Sequence, residues 1–249
     1  MNMKILVCIS KTPDTTSKIA FTEGNTKFDE NGVQWIINPY DEWYSLVKAI
    51  VLKEKDPSIL IHLITVGGAD TEPIIRKALA LGGDEAIRVN NTSNDSMVVA
   101  QEIAAIAKEG AYDLILTGKE TIDYNSASIG SMLCALLDTT FIPNAIALEV
   151  NGTTAIVKRE IEGGEESCET SLPIILSCQK GMAEQRIPNM RGIMAARTKP
   201  LKVVEASIHN ATTSIKKFDT PPAKSGVKLV EAGNMDEMVR LLKEEAKVI

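Results

Sequence analysis

Ile59-Leu60-Ile61-His62-Leu63-Ile64-Thr65-Val66-Gly67-Gly68 is an apolar run stopped by two glycines. It is followed by Thr71-Glu72-Pro73-Ile74-Ile75-Arg76-Lys77-Ala78-Leu79-Ala80-Leu81, and then by Glu85-Ala86-Ile87-Arg88-Val89. The first run has the length and near-continuous hydrophobicity of a strand buried on both faces. The second opens with Thr and Glu before Pro and carries its apolar residues at helical spacing, so it predicts a helix over 71–81. The third predicts a strand over 85–89. Strand, helix and strand at this spacing make a βαβ unit, and so a parallel sheet.

The same alternation extends in both directions. Residues 4–9 form a short Ile/Val-rich run, a buried parallel strand. Residues 19–21 and 26–28 flank Glu23-Gly24-Asn25 as a small hairpin. Asn38-Pro39 has the chemistry of a helix start, and the helix runs to about residue 54, with Trp43, Leu46, Val47, Ile50 and Val51 on one face. A helix over 95–108 is capped near Asn94 or Asp95, a strand covers 112–117, and a helix covers 127–137. The expected fold is α/β, a mostly parallel sheet with helices on both faces. Beyond Pro143 the pattern changes. Asn151-Gly152 and Gly163-Gly164 are hairpin signals, so strands at 145–150, 153–162 and 167–177 extend the sheet antiparallel at one side. Residues 190–197 are a short helical patch, 201–234 a poorly periodic arm, and 235–247 an amphipathic helix with Met238, Leu241, Leu242 and Ala246 on one face. The arm has no core of its own and must lie on the rest of the chain or on a partner.

Composition removes several function classes. The 249 residues carry 27 Lys+Arg against 33 Asp+Glu, so nothing draws the chain to nucleic acid or anionic lipid. No apolar stretch approaches the ~20 residues of a membrane span. The apolar run at the N-terminus is too short and too early for a signal peptide, which points to the cytoplasm of a prokaryote. Cys8, Cys134, Cys168 and Cys178 form no CxxC pair, and the only histidines are His62 and His209, so metal-ligand spacing is lacking.

Familiar catalytic motifs are missing too: no GxGxxG, P-loop, GxSxG or HExxH is present. Ser177 with Lys180, and Ser225 with Lys228, match SxxK by spacing alone and lack the companion motifs. His62 reads as a satisfied strand histidine. The remaining constellation has the shape of a nucleotide site. Ligands of open α/β sheets bind at the carboxyl ends of strands near a topological switch point. Four segments reach that end: residues 8–14, Val66-Gly67-Gly68, Asn38-Pro39-Tyr40-Asp41, and 118–131. The last leaves a strand through Gly118 and enters a helix through Asn125 and Ser126. Its free N–H groups and helix dipole favour a phosphate, and Thr121, Ser126 and Ser128 can donate to it. Gly67-Gly68 would let backbone approach an adenine or ribose closely. The plainer alternative is an ordinary strand–helix loop capped by Asn125. Residues 185–204 carry five basic residues and no acidic one, either a solvated face or a docking surface.

Five segments carry a resemblance: 4–11 with Pro13-Asp14, Asn38-Pro39-Tyr40-Asp41, 78–84, 118–124, and the block 157–166 followed by Leu172-Pro173-Ile174-Ile175. In this order and spacing, the chain resembles the β subunits of electron transfer flavoproteins along nearly its whole length. The resemblance implies a flavodoxin-like, adenine-nucleotide α-hydrolase-like domain over 1–183. It also implies a partner-recognition loop and arm over 184–249, the arm wrapping an α subunit that bears the FAD. It implies AMP, held structurally, at Cys8, Asn38, Pro39, Tyr40, Asp41, Val66, Gly118, Lys119, Glu120, Thr121, Ile122, Asp123, Tyr124, Asn125, Ser126, Ala127, Ser128 and Ile129. Partner contacts fall on Glu184, Met190 and Arg191 of the recognition loop, with Met190 the apolar anchor for flavin-dependent dehydrogenases of the acyl-CoA dehydrogenase type. Glu160 matches an acidic residue that pairs with the mobile flavin domain. Thr15 stands where the family often has an aromatic residue near the flavin. A second group of the family places another FAD in the β-subunit site and bifurcates electrons; the Glu162-Gly163-Gly164 turn is more like the AMP group. The alternative of another class is a stand-alone adenine-nucleotide-binding regulatory domain.

Overall fold

The computed structural model describes residues 3–207, 209–223 and 226–249; Met1, Asn2 and the Ser225 of the second Ser–Lys spacing lie outside the described residues. In chain order the elements are β1 (Lys4–Cys8), β2 (Lys11–Pro13), β3 (Phe21–Thr22), β4 (Lys27–Phe28), β5 (Trp35–Ile37), α1 (Glu42–Lys55), β6 (Leu60–Val66), α2 (Glu72–Leu81), β7 (Glu85–Asn90) and α3 (Ser96–Gly110). They continue with β8 (Leu114–Gly118), α4 (Ile129–Leu137), β9 (Thr140–Asn151), β10 (Thr154–Ile161), β11 (Gly164–Ser171), β12 (Ile174–Cys178), α5 (Met190–Ala196), β13 (Leu201–Glu205) and α6 (Met235–Arg240).

One nine-stranded sheet runs β11-β10-β9-β12-β8-β1-β6-β7-β13. The pairings from β9 to β13 are all parallel, and only β10 runs antiparallel, between β9 and β11. Strand alternation sends Ile5, Val7, Leu114, Leu116, Ile174 and Leu176 to a core shared with α1 and α2. Leu6, Cys8, Ile115 and Ile175 go to a second core shared with α3 and α4. Burial on both faces is why these strands read as continuous apolar runs.

Three expectations are corrected. The stretch read as one strand over 167–177 is two. Its first half is the polar edge strand β11, and its second half is the fully buried β12, inserted between β8 and β9. Pro173 divides them, since it has no N–H to continue a ladder. The strand expected from 145 begins at Thr140 and is parallel to β12, so the antiparallel extension is β10 and β11. The arm is not structureless at its start: β13 adds a parallel strand outside β7.

The arm is then pinned to this chain in three places. Ser207 N–H donates to the buried Glu102 (3.1 Å). Asp95 caps α3 by accepting from the N–H groups of Met97 and Val98, and its other oxygen accepts N–H and O–H from both Thr212 and Thr213. The hydrogen bonds of Thr213 come first among the causes that hold the Asp95 carboxyl well below its ordinary range. Phe218 N–H donates to the Asn25 carbonyl (2.7 Å), and its ring stacks on Phe21 at 4.7 Å. Past Phe218 the contrast is sharp. Val227, Leu229, Met235, Val239, Val248 and Ile249 are exposed, and α6 buries none of its residues. The last turns, 241–246, widen from α to π geometry. No helix among the described residues is long and apolar enough to cross a membrane.

Two tests follow from this packing. A Cβ on Gly192 would stand 2.3 Å from the Ala80 carbonyl oxygen. Gly192→Ala therefore forces α5 off the end of α2 and lowers stability by about 1–3 kcal/mol in urea unfolding. Asp95→Asn weakens the grip on Thr212 and Thr213, so limited proteolysis will cut residues 206–218 faster than in wild type, with the 3–200 region still protected.

Candidate functional site

The chain passes from β1 outward through β6 and β7, then returns to place β8 on the other side of β1. The carboxyl ends of β1 and β8 therefore flank a topological switch point, where open α/β sheets leave a crevice. The start of α1 lies against that crevice because Gly118, the last residue of β8, has no side chain. A Cβ there would be 2.8 Å from Cγ of Glu42 and 2.9 Å from Cβ of Asp41.

Three side chains brace the crevice. The buried Asn38 donates from Nδ2 to the Glu120 carbonyl (2.7 Å) and accepts from Ile122 N–H (3.3 Å). Asp41 accepts from Glu120 N–H (3.0 Å). Glu42, also buried, accepts from Ser10 N–H (2.5 Å) and Ser10 Oγ–H (2.6 Å). So Asn38 does not cap a helix, as its sequence position suggests. α1 begins three residues later, with Asp41 in the capping position, because the Asn38 amide is spent on the loop leaving β8. Burial dominates the electrostatics here. It raises the Glu42 carboxyl to about 8, against the Ser10 hydrogen bonds that oppose it. It raises Asp41 above its ordinary value, and it drives the Cys8 thiol far up, with Glu42 adding to the effect.

The rest of the 118–129 stretch is less enclosed. Lys119 N–H donates to the Cys178 carbonyl (2.9 Å), and Thr121 and Ile122 are half-buried, whereas Asp123, Tyr124, Asn125, Ser126 and Ala127 form an exposed loop. α4 starts at Ile129 rather than 127 because Asn125 and Ala127 have left-handed backbone, with φ of 50° and 49°. Asn125 does not cap it. Ser128 holds that position without a side-chain cap bond, and its hydroxyl lies 3.3 Å from that of Ser126. Open first-turn N–H groups beside two hydroxyls suit the oxygens of a phosphate. Val66 ends β6 at the same end of the sheet. Gly67 and Gly68 are explained within the chain: a Cβ would be 2.5 Å from Cγ2 of Thr71 at the first, and 2.7 Å from Oδ1 of Asp70 at the second. Pro39 is half-buried beside the exposed Tyr40.

Two of the residues expected to meet partners, Glu160 and Glu184, border the crevice. Glu160 accepts from Gln179 Nε2, and with Asp41, Glu120, Lys180 and Glu184 it lines an open cavity of about 890 Å³ beside the crevice. Trp43 Nε1–H donates to the Arg186 carbonyl (3.1 Å), and Arg186 pairs bidentately with Glu54, which anchors the start of the 184–195 loop. From that base Ile187 and Met190 project with 87% and 73% of their surface exposed, next to the exposed Arg191. His62 is the satisfied histidine it was read as, with Nδ1 2.8 Å from the Tyr112 hydroxyl. Ser10 and Glu42 are the site residues that sequence reasoning missed. An acidic residue in a first helical turn is ordinary dipole chemistry and gives no signal of its own.

The electron transfer flavoprotein domain matches residues 25–209. The electron transfer flavoprotein subunit beta of Bacillus subtilis is 38% identical, covering 99% of this chain and all of its own length. The chain belongs to the electron transfer flavoprotein family. The electron transfer flavoprotein subunit beta of Syntrophomonas wolfei is 36% identical over 92% of this chain and 90% of its own. The caffeyl-CoA reductase-Etf complex subunit CarD of Acetobacterium woodii is 30% identical over 98% of each. Membership ties this flavoprotein subunit to flavin-linked electron transfer, and a mostly parallel sheet with helices on both faces is its scaffold.

Glu42 makes the stability of this subunit pH-dependent. Its carboxyl holds a proton more tightly folded than unfolded, so its contribution is complete below the ordinary value of 4.5 and is lost as pH rises through about 8. Urea unfolding across that window will show wild type losing stability relative to Glu42→Gln, which cannot ionise.

Proposed function

We propose that this chain is the nucleotide-holding β subunit of a heterodimeric electron transfer flavoprotein that works in the cytoplasm. It binds AMP structurally in the switch-point crevice, supports an FAD-bearing α subunit and docks flavin-dependent dehydrogenases of the acyl-CoA dehydrogenase type. The observation that carries this reading is the brace of Asn38 and Asp41 on the 118–122 loop, which leads to the uncapped start of α4. Among the described residues, the crevice side chains Asn38, Asp41 and Glu42 are engaged in holding loops. That fits a subunit that positions a nucleotide while FAD in the other chain supplies the redox chemistry. In this reading residues 1–183 are the nucleotide-binding domain and 184–249 the recognition loop and wrapping arm. The exposed apolar residues from Val227 to Ile249 give the arm a reason to cover a partner and weigh against a stand-alone regulatory domain. In this reading Glu160, which lines the cavity beside the crevice, forms an ion pair with the flavin-bearing chain.

A second reading places another FAD in this chain and makes the complex electron-bifurcating. The likeness to the CarD subunit of a reductase complex favours it. Purification with the α chain, followed by nucleotide extraction and mass spectrometry, separates the two. One FAD and one AMP per heterodimer supports the first reading, two FAD supports the second, and no adenine nucleotide in this chain overturns both. Met190→Ala will slow electron transfer to a partner dehydrogenase by roughly tenfold, the cost of one interface anchor. Stopped-flow flavin reduction reads the rate, and flavin content will stay unchanged.

A further inference from the structure

Two helix N-termini reach the crevice, and they are not equivalent. Neither has a side-chain cap bond; α4 has no acidic residue in its first turn and starts beside the hydroxyls of Ser126 and Ser128. α1 starts with two consecutive carboxylates that reach in opposite directions, Asp41 to the loop after β8 and Glu42 to the loop after β1. We propose that Glu42 is a positioning residue for nucleotide affinity, fixing Ser10 at the crevice wall and setting the charge of the crevice floor. The inference rests on the reading that the crevice holds AMP.

The geometry supports two separable effects. Glu42 is 5% exposed, and both its oxygens are engaged by Ser10, so it has no freedom to swing toward solvent. Without it the loop between β1 and β2 loses its tie to α1. The titratable groups facing it are Cys8 from β1, Asp41 from the start of its own helix and Asp123 from the loop after β8; Gly118 of β8 adds no side chain. None of these is a cation; the basic side chain that acts on Asp41, Lys119, is paired with Glu120. When Glu42 ionises, a further negative charge therefore stands beside Asp41 and Asp123, and an anionic nucleotide is held less tightly. Burial places that change at about 8. Glutamine can keep both ties, accepting from Ser10 N–H and donating to Ser10 Oγ, without the charge.

Equilibrium dialysis of AMP against the purified heterodimer tests this, with wild type, Glu42→Gln, Glu42→Ala and Ser10→Ala compared at several pH values. Wild-type affinity will fall about three- to tenfold between about pH 7 and 9, and Glu42→Gln will stay flat over that range. Glu42→Ala and Ser10→Ala will bind several-fold more weakly than wild type at about pH 7. The proposal is overturned if Glu42→Gln tracks wild type across pH, or if the alanine variants bind AMP as tightly as wild type. Should Glu42→Ala fail to fold, the pH comparison with Glu42→Gln decides alone. Wild type that binds no AMP at any pH overturns the AMP reading itself, and this proposal with it.

Discussion

A side chain on Gly118 would run into Glu42 and Asp41, so β8 can end against α1 only because that position lacks one. From this close approach the other contacts of the crevice follow. It brings the Asp41 carboxylate to Glu120 N–H and leaves Ser45 Oγ 2.8 Å from the Thr117 carbonyl, so α1 is fastened to β8 over its first turn. Asn38, three residues ahead of Asp41, can then span to Glu120 and Ile122. The loop leaving β8 is shaped by groups that come from the other side of the switch point. A larger residue at 118 would separate the two walls and cost each of these hydrogen bonds its partner.

The brace explains why an acidic cluster sits where an anionic ligand is expected. Asp41, Glu42 and Asp123 would repel a phosphate if they stood free and ionised. Asp41 and Glu42 instead satisfy backbone donors, and burial favours their neutral forms. α4 has no acidic residue in its first turn and is flanked by Ser126 and Ser128, which is what the proposed phosphate site requires. In the proposed reading one helix start holds loops and the other faces the phosphate.

Much of this was legible in the sequence, and what was not has physical reasons. The βαβ runs, the Asn-Gly hairpin and the 118–129 stretch are local signals: hydrophobic period, turn chemistry and a glycine at a strand end. Fold class and the bounds of the crevice follow from them. The role of Asn38 does not, because an Asn before Pro at the head of an amphipathic run looks the same whether its amide caps its own helix or spans 84 positions to Ile122. Glu42 and Ser10 lie 32 positions apart, and neither type is unusual where it stands. The insertion of β12 between β8 and β9 is equally invisible, since pairing order is set by long-range packing and not by any local pattern. The Pro173 break was present in the sequence but lost within an otherwise strand-like run.

The arm shows the same division between local and distant control. Its sequence has no periodicity from 206 to 234 because its attachments are single points: Glu102 on Ser207, Asp95 on Thr212 and Thr213, and Phe21 under Phe218. Each is a side chain of the domain meeting one or two arm residues, which leaves no repeat to read. These three fix the arm's course across α3 and onto the β3–β4 hairpin before it departs. The exposed apolar residues beyond Phe218 are thus presented from a set direction and not from a free tail. A partner that covers them finds half of the arm already ordered, so it bears the ordering cost of the last ~30 residues only, where each residue fixed costs about 1–2 kcal/mol of backbone entropy. In the proposed assembly, pinning the first half of the arm to its own domain would therefore lower the entropic cost of covering the rest.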